Sequence, residues 1–271
     1  MKLDIKSLTI MRGVSMGLFD NLFERKTCDI CGDKCGVLGG TKVKDGRLCK
    51  SCVSKLSPWL AGLKSFSLAE IREHLTYREE NQEKVKNFNI THVIGDKGTK
   101  LYLDVEKRQL IITGNSNWRS SNPDVLDFSQ LVDYDLKINE NKKEIMKETS
   151  DGKKESYNPK RYEYSYNFYV YINVNSPWFN TVSMHVNNST IDGYDNEEYE
   201  EAYLFSEEIC EVLSSLKEGS LEEINDIVDY YKSQRSNKRT YDSTYYSDTK
   251  AYRRGVDYYR ERDPRRSHYK F

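Results

Sequence analysis

Two cysteine pairs, CDIC at residues 28–31 and CKSC at residues 49–52, decide the fold of the first part of this chain. Seventeen residues separate the pairs, a spacing typical of four-cysteine zinc sites. Two residues between paired cysteines allow a tight turn that directs both sulfurs to one point, and four thiolates complete a tetrahedron around Zn²⁺ at about 2.3 Å. We predict one structural zinc, held by the paired residues Cys28, Cys31, Cys49 and Cys52.

The spacer between the pairs carries a hairpin signal. Asp45-Gly46 is a favoured two-residue turn, and the apolar residues Val43 and Leu48 flank it. The expected order is a turn, a hairpin and a short helix that opens at the second cysteine pair. We therefore predict a small treble-clef or zinc-ribbon module over residues 16–66.

Disulfides are the alternative use of these cysteines. Five of the six cysteines lie within 25 residues, and Cys210 is isolated. A chain of 271 residues can bury a hydrophobic core without disulfides, so composition favours zinc. Cys35 stays open: it can replace a ligand, although the paired cysteines already satisfy a closed site and favour a buried or free thiol. No histidine lies in this stretch, which favours a structural over a catalytic site.

We expect no secretory signal peptide in the N-terminal residues. Residues 1–15 lack the apolar stretch of a signal peptide. Met16 begins a segment that resembles a translational start, so we expect residues 1–15 to be a disordered extension. Residues 17–23 place four apolar side chains on one helical face, which we expect to dock on the protein itself or, alternatively, on a membrane surface or partner. No apolar run of about 18 residues is present, which predicts no transmembrane segment.

A charged helix is predicted to connect two domains. Ser67 and Glu70 form a capping-box pattern that opens a helix over residues 67–87. The second half of this helix is heavily charged, which is typical of a solvated spacer. We place the domain boundary near Asn87.

Residues 88–217 show the period of two that indicates strands. The clearest case runs from Tyr162 to Val174, where aromatic and aliphatic residues occupy every second position. The polar residues 139–161 are predicted to form a mobile hairpin loop. Residues 196–217 have helical spacing and include Cys210, expected as a packed thiol. About seven strands closed by one helix predict an α+β fold with an antiparallel, pleckstrin-homology-like (PH-like) barrel.

The last part of the chain is basic. We predict a short helix over residues 218–232 and a disordered tail over residues 233–271, because the tail has almost no aliphatic residues. The tail holds eleven Lys and Arg against five Asp and Glu, or +6, which leaves −7 for the rest of a chain of net charge −1. Arginine interleaved with tyrosine is typical of single-strand nucleic-acid binders, and a merely solvating tail is the alternative. The candidate binding residues are Arg253, Arg254, Tyr258, Tyr259, Arg260, Arg262, Arg265 and Arg266.

Several motifs resemble known families. MGLFDNLF at 16–23, the two cysteine pairs, KDGRLC at 44–49, LSPW at 56–59 and YREEN at 77–81 together resemble a bacterial and phage family of zinc-finger proteins of unknown function. That resemblance implies a cytoplasmic protein of bacterial or phage origin and zinc binding through the paired cysteines, and it implies no known activity. VLDFSQLVDYDL at 125–136 is similar to bacterial PH-like domains.

The sequence favours a non-enzymatic adaptor that binds an unidentified protein partner. It has no glycine-rich phosphate loop, no nucleophile elbow and no cysteine with a plausible histidine partner. A nucleic-acid-binding regulator that uses the zinc module and the basic tail is the alternative.

Overall fold

A computed structural model describes residues 26–36, 39–95, 98–218 and 221–240. The chain forms two compact units. The first unit comprises the described residues up to Leu56 together with Gly62–Leu75. The second unit comprises Ser57–Ala61 and the described residues from Thr76 onward.

The first unit contains a two-stranded hairpin and short helical segments. Strands β1 (Thr41–Lys42) and β2 (Arg47–Leu48) pair antiparallel, and α1 (Lys50–Val53) follows. The helix α2 (Leu68–Asn87) begins in this unit. This sequence of hairpin and helix is the predicted one, because the Asp-Gly turn and the second cysteine pair act locally.

Two antiparallel four-stranded sheets form the second unit. The first sheet has the order β3 (His92–Ile94), β4 (Lys100–Asp104), β5 (Gln109–Thr113) and β6 (Val125–Asp127). The second sheet contains β7 (Leu131–Glu148), β8 (Lys154–Val174), β9 (Thr181–His185) and β10 (Ile191–Asp192). Strand β8 is central in this sheet, with β7 on one side and β9 and β10 on the other.

Three helices complete the second unit: α3 (Trp118–Ser121), α4 (Glu197–Glu218) and α5 (Leu221–Thr240). Helix α4 is buried along most of its circumference, since one face packs on the sheets and another on α5. The core joins both sheets to both long helices in a single apolar cluster.

The alternation predicted for β8 is confirmed. Phe168, Val170 and Ile172 are buried in the core, whereas Tyr169 and Tyr171 lie on the opposite, partly exposed face. Successive side chains of a strand point to opposite faces, so this pattern alone establishes which face of β8 is buried.

The predicted barrel is not found. The fold is a mixture of helices and antiparallel sheets, as expected, but the strands of the described residues form separate sheets and no closed barrel.

The polar stretch 139–161 was expected to be a mobile hairpin loop; the hairpin connection is found, but most of the stretch is paired strand and not loop. It forms the distal part of a long β7–β8 ribbon that turns at residues 149–153. Cross-strand contacts stabilise the ribbon: the Lys142 ammonium lies 4.0 Å from the centre of the Tyr162 ring, and Lys143 pairs with Glu163. Such pairs are formed between residues far apart in sequence, which a search for local periodicity does not detect.

Helix α2 is not a solvated connector. Its capping box is present, with the Ser67 N–H donating to Glu70 and the Glu70 N–H to Ser67 Oγ. Its second half, however, buries Arg78, Asn81 and Val85 within the second unit. The boundary between the units therefore falls inside this helix, after Leu75, and not near Asn87. The polar second half of the helix can be buried because its polar side chains have hydrogen-bond partners.

Helix α5 is longer than predicted. It continues through Thr240, whereas the tail was expected to begin at residue 233. The reason is the pairing of Arg235 with the buried Glu208 of α4, which extends the packed face by a turn. The predicted extension 1–15, the segment 17–23 and the tail residues from 241 onward lie outside the described residues.

Candidate metal centre

The first cysteine pair lies on a tight turn. An antiparallel bridge between Thr27 and Lys34 closes the loop that carries Cys28 and Cys31. Within the loop, the Gly32 N–H donates to the Cys28 carbonyl at 2.8 Å, and Gly32 has φ +78°, a conformation that favours glycine. The turn brings both sulfurs to one side of the loop.

The second cysteine pair opens helix α1. Cys49 is the N-cap residue, and its sulfur accepts a hydrogen bond from the Cys52 backbone N–H at 3.4 Å. A Cys-x-x-Cys sequence across a helix start places the second sulfur one turn after the first. The hairpin β1–β2 immediately before the helix carries this pair toward the first.

The hairpin is tied to the first turn and to the start of α2. The Arg47 N–H donates to the Asp29 carboxylate at 2.8 Å, and the Asp45 carboxylate accepts from the Leu68 N–H at 2.7 Å. Gly46 lies so close to Leu68 that an added Cβ would be 2.6 Å from its Cδ1. These contacts fix the position of the hairpin turn that lies between the two cysteine pairs.

The four paired cysteines converge. All four sulfurs lie within 4.8 Å of one another. Cys28 Sγ is 3.7 Å from Cys52 Sγ, and Cys31 Sγ is 3.6 Å from Cys49 Sγ. A disulfide requires about 2.05 Å, and all six cysteines are free. Four sulfurs at about 2.3 Å from a tetrahedral zinc are separated by about 3.8 Å, so the arrangement fits that ion.

One sequence comparison matches a limited stretch of the chain that contains the cysteine cluster. Residues 27–74 match a family described as a domain of unknown function (DUF4428). The matched stretch contains all four clustered cysteines and ends in α2. Comparison with curated proteins and with solved structures gave no match.

Electrostatics inside the cluster favours a bound cation. Burial acts to raise the pKa of Cys28, but hydrogen bonds from the backbone of Cys31, Cys49 and Ile30 act against it and lower this pKa to about 6. Burial, followed by hydrogen bonds with the neighbouring cysteines, raises the pKa of Cys52. A first thiolate therefore forms readily and disfavours a second one nearby. A divalent cation removes this conflict, since it stabilises every coordinating thiolate.

Cys35 lies beside the cluster and is not part of it. Its side chain is fully buried in the first unit, and burial raises the pKa of its thiol. A Cβ on Gly40 would be 2.7 Å from its sulfur and 2.4 Å from the Leu48 carbonyl oxygen. Cys35 therefore packs against Gly40 and the hairpin, which agrees with the preferred prediction of a buried thiol. Cys210 is also buried, in α4.

Two other sequence-based sites have different outcomes. The tail residues proposed for nucleic-acid binding, from Arg253 to Arg266, lie outside the described residues. A tyrosine patch that the sequence analysis did not single out lies on the outer face of the second sheet. There Tyr169 stacks on His185, with ring centres 4.6 Å apart. The ring centres of Tyr169 and Tyr171 are 6.1 Å apart. The alternate positions of β8 were the available signal, because residues that alternate with the core face outward.

Within the described residues, no helix is both long enough and apolar enough to cross a membrane.

Proposed function

We propose that this protein is a non-enzymatic, zinc-stabilised adaptor that binds another protein through its second unit. The observation that carries the zinc part is the convergence of four cysteine sulfurs within 4.8 Å. Zn²⁺ is the ion that we assign to them, because an all-thiolate tetrahedral set is typical of structural zinc.

The role assigned to zinc is structural. Four cysteine ligands leave no open coordination position for water or substrate. The first unit also has few large apolar residues in its core, so coordination replaces part of the hydrophobic stabilisation that a larger core supplies. The turn, hairpin and helix around the site support a treble-clef module.

The second unit is assigned as a PH-like interaction domain. Two antiparallel sheets are followed by a closing helix, the chain order that suggests a PH-like domain, and residues 125–136 resemble bacterial PH-like domains. The tyrosine patch, comprising Tyr169, Tyr171 and His185, supports a protein-binding role, since tyrosine is enriched in protein interfaces. Lys137 and Asp135 of β7 lie directly opposite Tyr169 and Tyr171 in the sheet, so the partner surface that fits offers both charged and hydrogen-bonding groups to the rings' surroundings.

Elemental analysis tests the zinc assignment. We expect one zinc per freshly purified chain and loss of zinc in Cys49→Ser. Cys210→Ser is the matched control, because this thiol is buried away from the cluster, and its zinc content is expected to stay at one. A wild-type protein without zinc would overturn the assignment.

Quantitative affinity capture tests the adaptor role. We expect a stoichiometric protein partner with the wild type and its loss with Tyr169→Ser/Tyr171→Ser. Tyr194→Ser is the control, because Tyr194 is exposed but packs on Tyr166 outside the patch. Equal capture by the double variant and the control would remove the patch from the proposal. Absence of any stoichiometric protein would argue against an adaptor.

A nucleic-acid regulator is the second candidate, and the arginine and tyrosine content of the tail favours it. Affinity for a mixed single-stranded oligonucleotide should then fall steeply with salt, because Lys and Arg release counterions from phosphates. Removal of residues 241–271 should flatten this salt dependence. Negligible binding by both forms at low salt would exclude the tail as a nucleic-acid site.

A further inference from the structure

From Asp135 to Glu148, strand β7 has one edge that no described strand covers. It pairs with β8 along almost its whole length, from Leu131 to Glu148. Among the strands of the described residues, none pairs with its other edge. A long edge strand presents a row of unpaired backbone N–H and C=O groups, which is a template for pairing with another strand.

The two edges of the ribbon differ in their protection. Between Ser165 and Asn173, the outer edge of β8 pairs with β10 and β9. Nearer its start, β8 contains Pro159, which has no backbone N–H. Its register also shifts opposite Ile145 and Met146, so residues 157–160 of β8 have no pairing residue in β7. Strand β7 contains neither proline nor glycine, and its irregularity is confined to its start, at Val132. Natural edge strands are usually blocked by proline, bulges or charged side chains, and of these β7 has only charged side chains over its distal part. These disfavour pairing with any strand that does not oppose them with the opposite charge.

The distal ribbon is also short of support. Beyond Asn141 on β7 and Ser165 on β8, each strand has the other as its sheet partner and most side chains are exposed. Two-stranded ribbons are marginally stable in water, and three or more strands are needed for a stable sheet. A third strand added to β7 would supply this support.

We propose that β7 pairs antiparallel with β7 of a second copy of this chain, about a two-fold axis through Asn141. A two-fold axis places each residue opposite a residue equally far on the other side of the axis. Glu140 then faces Lys142, and Asp135 faces Lys147. Each of these opposite-charge pairs occurs twice by symmetry. Leu136 faces Met146, whose side chain is 42% exposed in the single chain.

Other positions of the axis are less favourable. Axes through residues 137, 140, 142, 143 or 144 place a charged side chain against its own copy. Axes through Ile138 or Asn139 give one kind of opposite-charge pair, whereas the axis through Asn141 gives two. The axis through Asn141 opposes no like charges: the remaining facing pairs are Asn139 with Lys143, Ile138 with Glu144 and Lys137 with Ile145. Charge along β7 therefore selects a second copy in one register.

Sedimentation equilibrium of the full chain over a concentration series tests the proposal. We expect a reversible dimer. Lys142→Glu places Glu140 opposite a glutamate at both symmetric positions, and we expect its dissociation constant to rise about tenfold. The charge swap Glu140→Lys/Lys142→Glu restores both opposite-charge pairs and should restore the dimer.

The swap also controls for effects within one chain. Lys142→Glu and the swap both lose the contact between Lys142 and the Tyr162 ring, and the swap also loses the hydrogen bond from the Tyr166 hydroxyl to Glu140. A loosened ribbon would therefore weaken the swap at least as much as the single variant. Lys137→Glu is the matched control, because Lys137 faces the uncharged Ile145 in this register. A wild type that is monomeric at every concentration would overturn the proposal. Failure of the swap to restore the dimer, or an equal effect of Lys137→Glu, would also overturn it.

Discussion

At the scale of single residues, Asp124 organises one end of the second unit. Its carboxylate accepts hydrogen bonds from Ser57 Oγ at 2.7 Å and Tyr77 at 3.2 Å, and it pairs with Arg78 at 2.6 Å. Asp124 and Arg78 are both almost fully buried. Three donors from two separate segments therefore converge on one carboxylate, which links residues 57–61 and α2 to the start of β6.

Removing this carboxylate should destabilise the second unit strongly. We expect Asp124→Ala to lower the free energy of unfolding by about 3 to 5 kcal/mol, because it leaves the Arg78 guanidinium buried without its counterion. Urea unfolding followed by tryptophan fluorescence measures this unit, since Trp59, Trp118 and Trp178 all lie in it.

The control is Lys84→Met, which removes the exposed ion pair between Lys84 and Asp127. Exposed pairs contribute little, so a change of less than about 1 kcal/mol is expected. Equal effects of the two substitutions would mean that burial does not set the strength of the Asp124 pair.

Substitution of Cys35 tests its packing role separately from metal coordination. We expect Cys35→Ser to keep one zinc per chain, because its thiol lies outside the four-sulfur cluster. A buried hydroxyl without a partner should still cost about 1 to 3 kcal/mol, which a lower melting temperature of the first unit would record. Loss of zinc in Cys35→Ser would make this residue a ligand.

At the scale of elements, α5 is held on α4 by an amphipathic face that ends in an ion pair. Ile224, Val228 and Tyr231 are buried at helical spacing. One turn later, Arg235 pairs with Glu208, which is 1% exposed, and its guanidinium lies 4.2 Å from the centre of the Phe205 ring. The helix therefore needs the residues beyond 232 that its sequence alone assigned to the tail.

Truncation after residue 232 should destabilise the protein in a pH-dependent way. Burial raises the pKa of Glu208, and Arg235 acts in the opposite direction. Without Arg235 this pKa should rise further, so the folded state binds a proton that the unfolded state releases, and stability falls as pH increases. We expect a larger loss of stability at pH 8 than at pH 5 in urea unfolding. Truncation after Thr240 keeps Arg235 and should have little effect at either pH.

At the scale of the whole molecule, the chain passes between the two units three times, after Leu56, Ala61 and Leu75. Residues 57–61 lie inside the stretch that matches the family model but belong to the second unit. Trp59 packs on the core of this unit. The units are therefore not consecutive domains joined by a linker.

Fragments should reflect this organisation. We expect residues 88–217 alone to be insoluble or to lack a cooperative thermal transition, because they lack the Arg78 partner of Asp124 and the α5 partner of Glu208. A fragment of residues 57–240 contains both partners and should unfold cooperatively. A cooperative transition in the shorter fragment would show that these buried pairs are dispensable for folding.

The sequence by itself determined which four cysteines converge and which face of β8 is buried. A Cys-x-x-Cys pair and a period of two are local patterns, because each depends on chain geometry over a few residues. Tertiary structure decided the role of Asp124, the length of α5 and the extent of the β7–β8 ribbon. In each case a charged or polar residue gains a partner far away in sequence, and burial makes that partner necessary. Polar composition alone predicts a solvated loop, spacer or tail for the same residues.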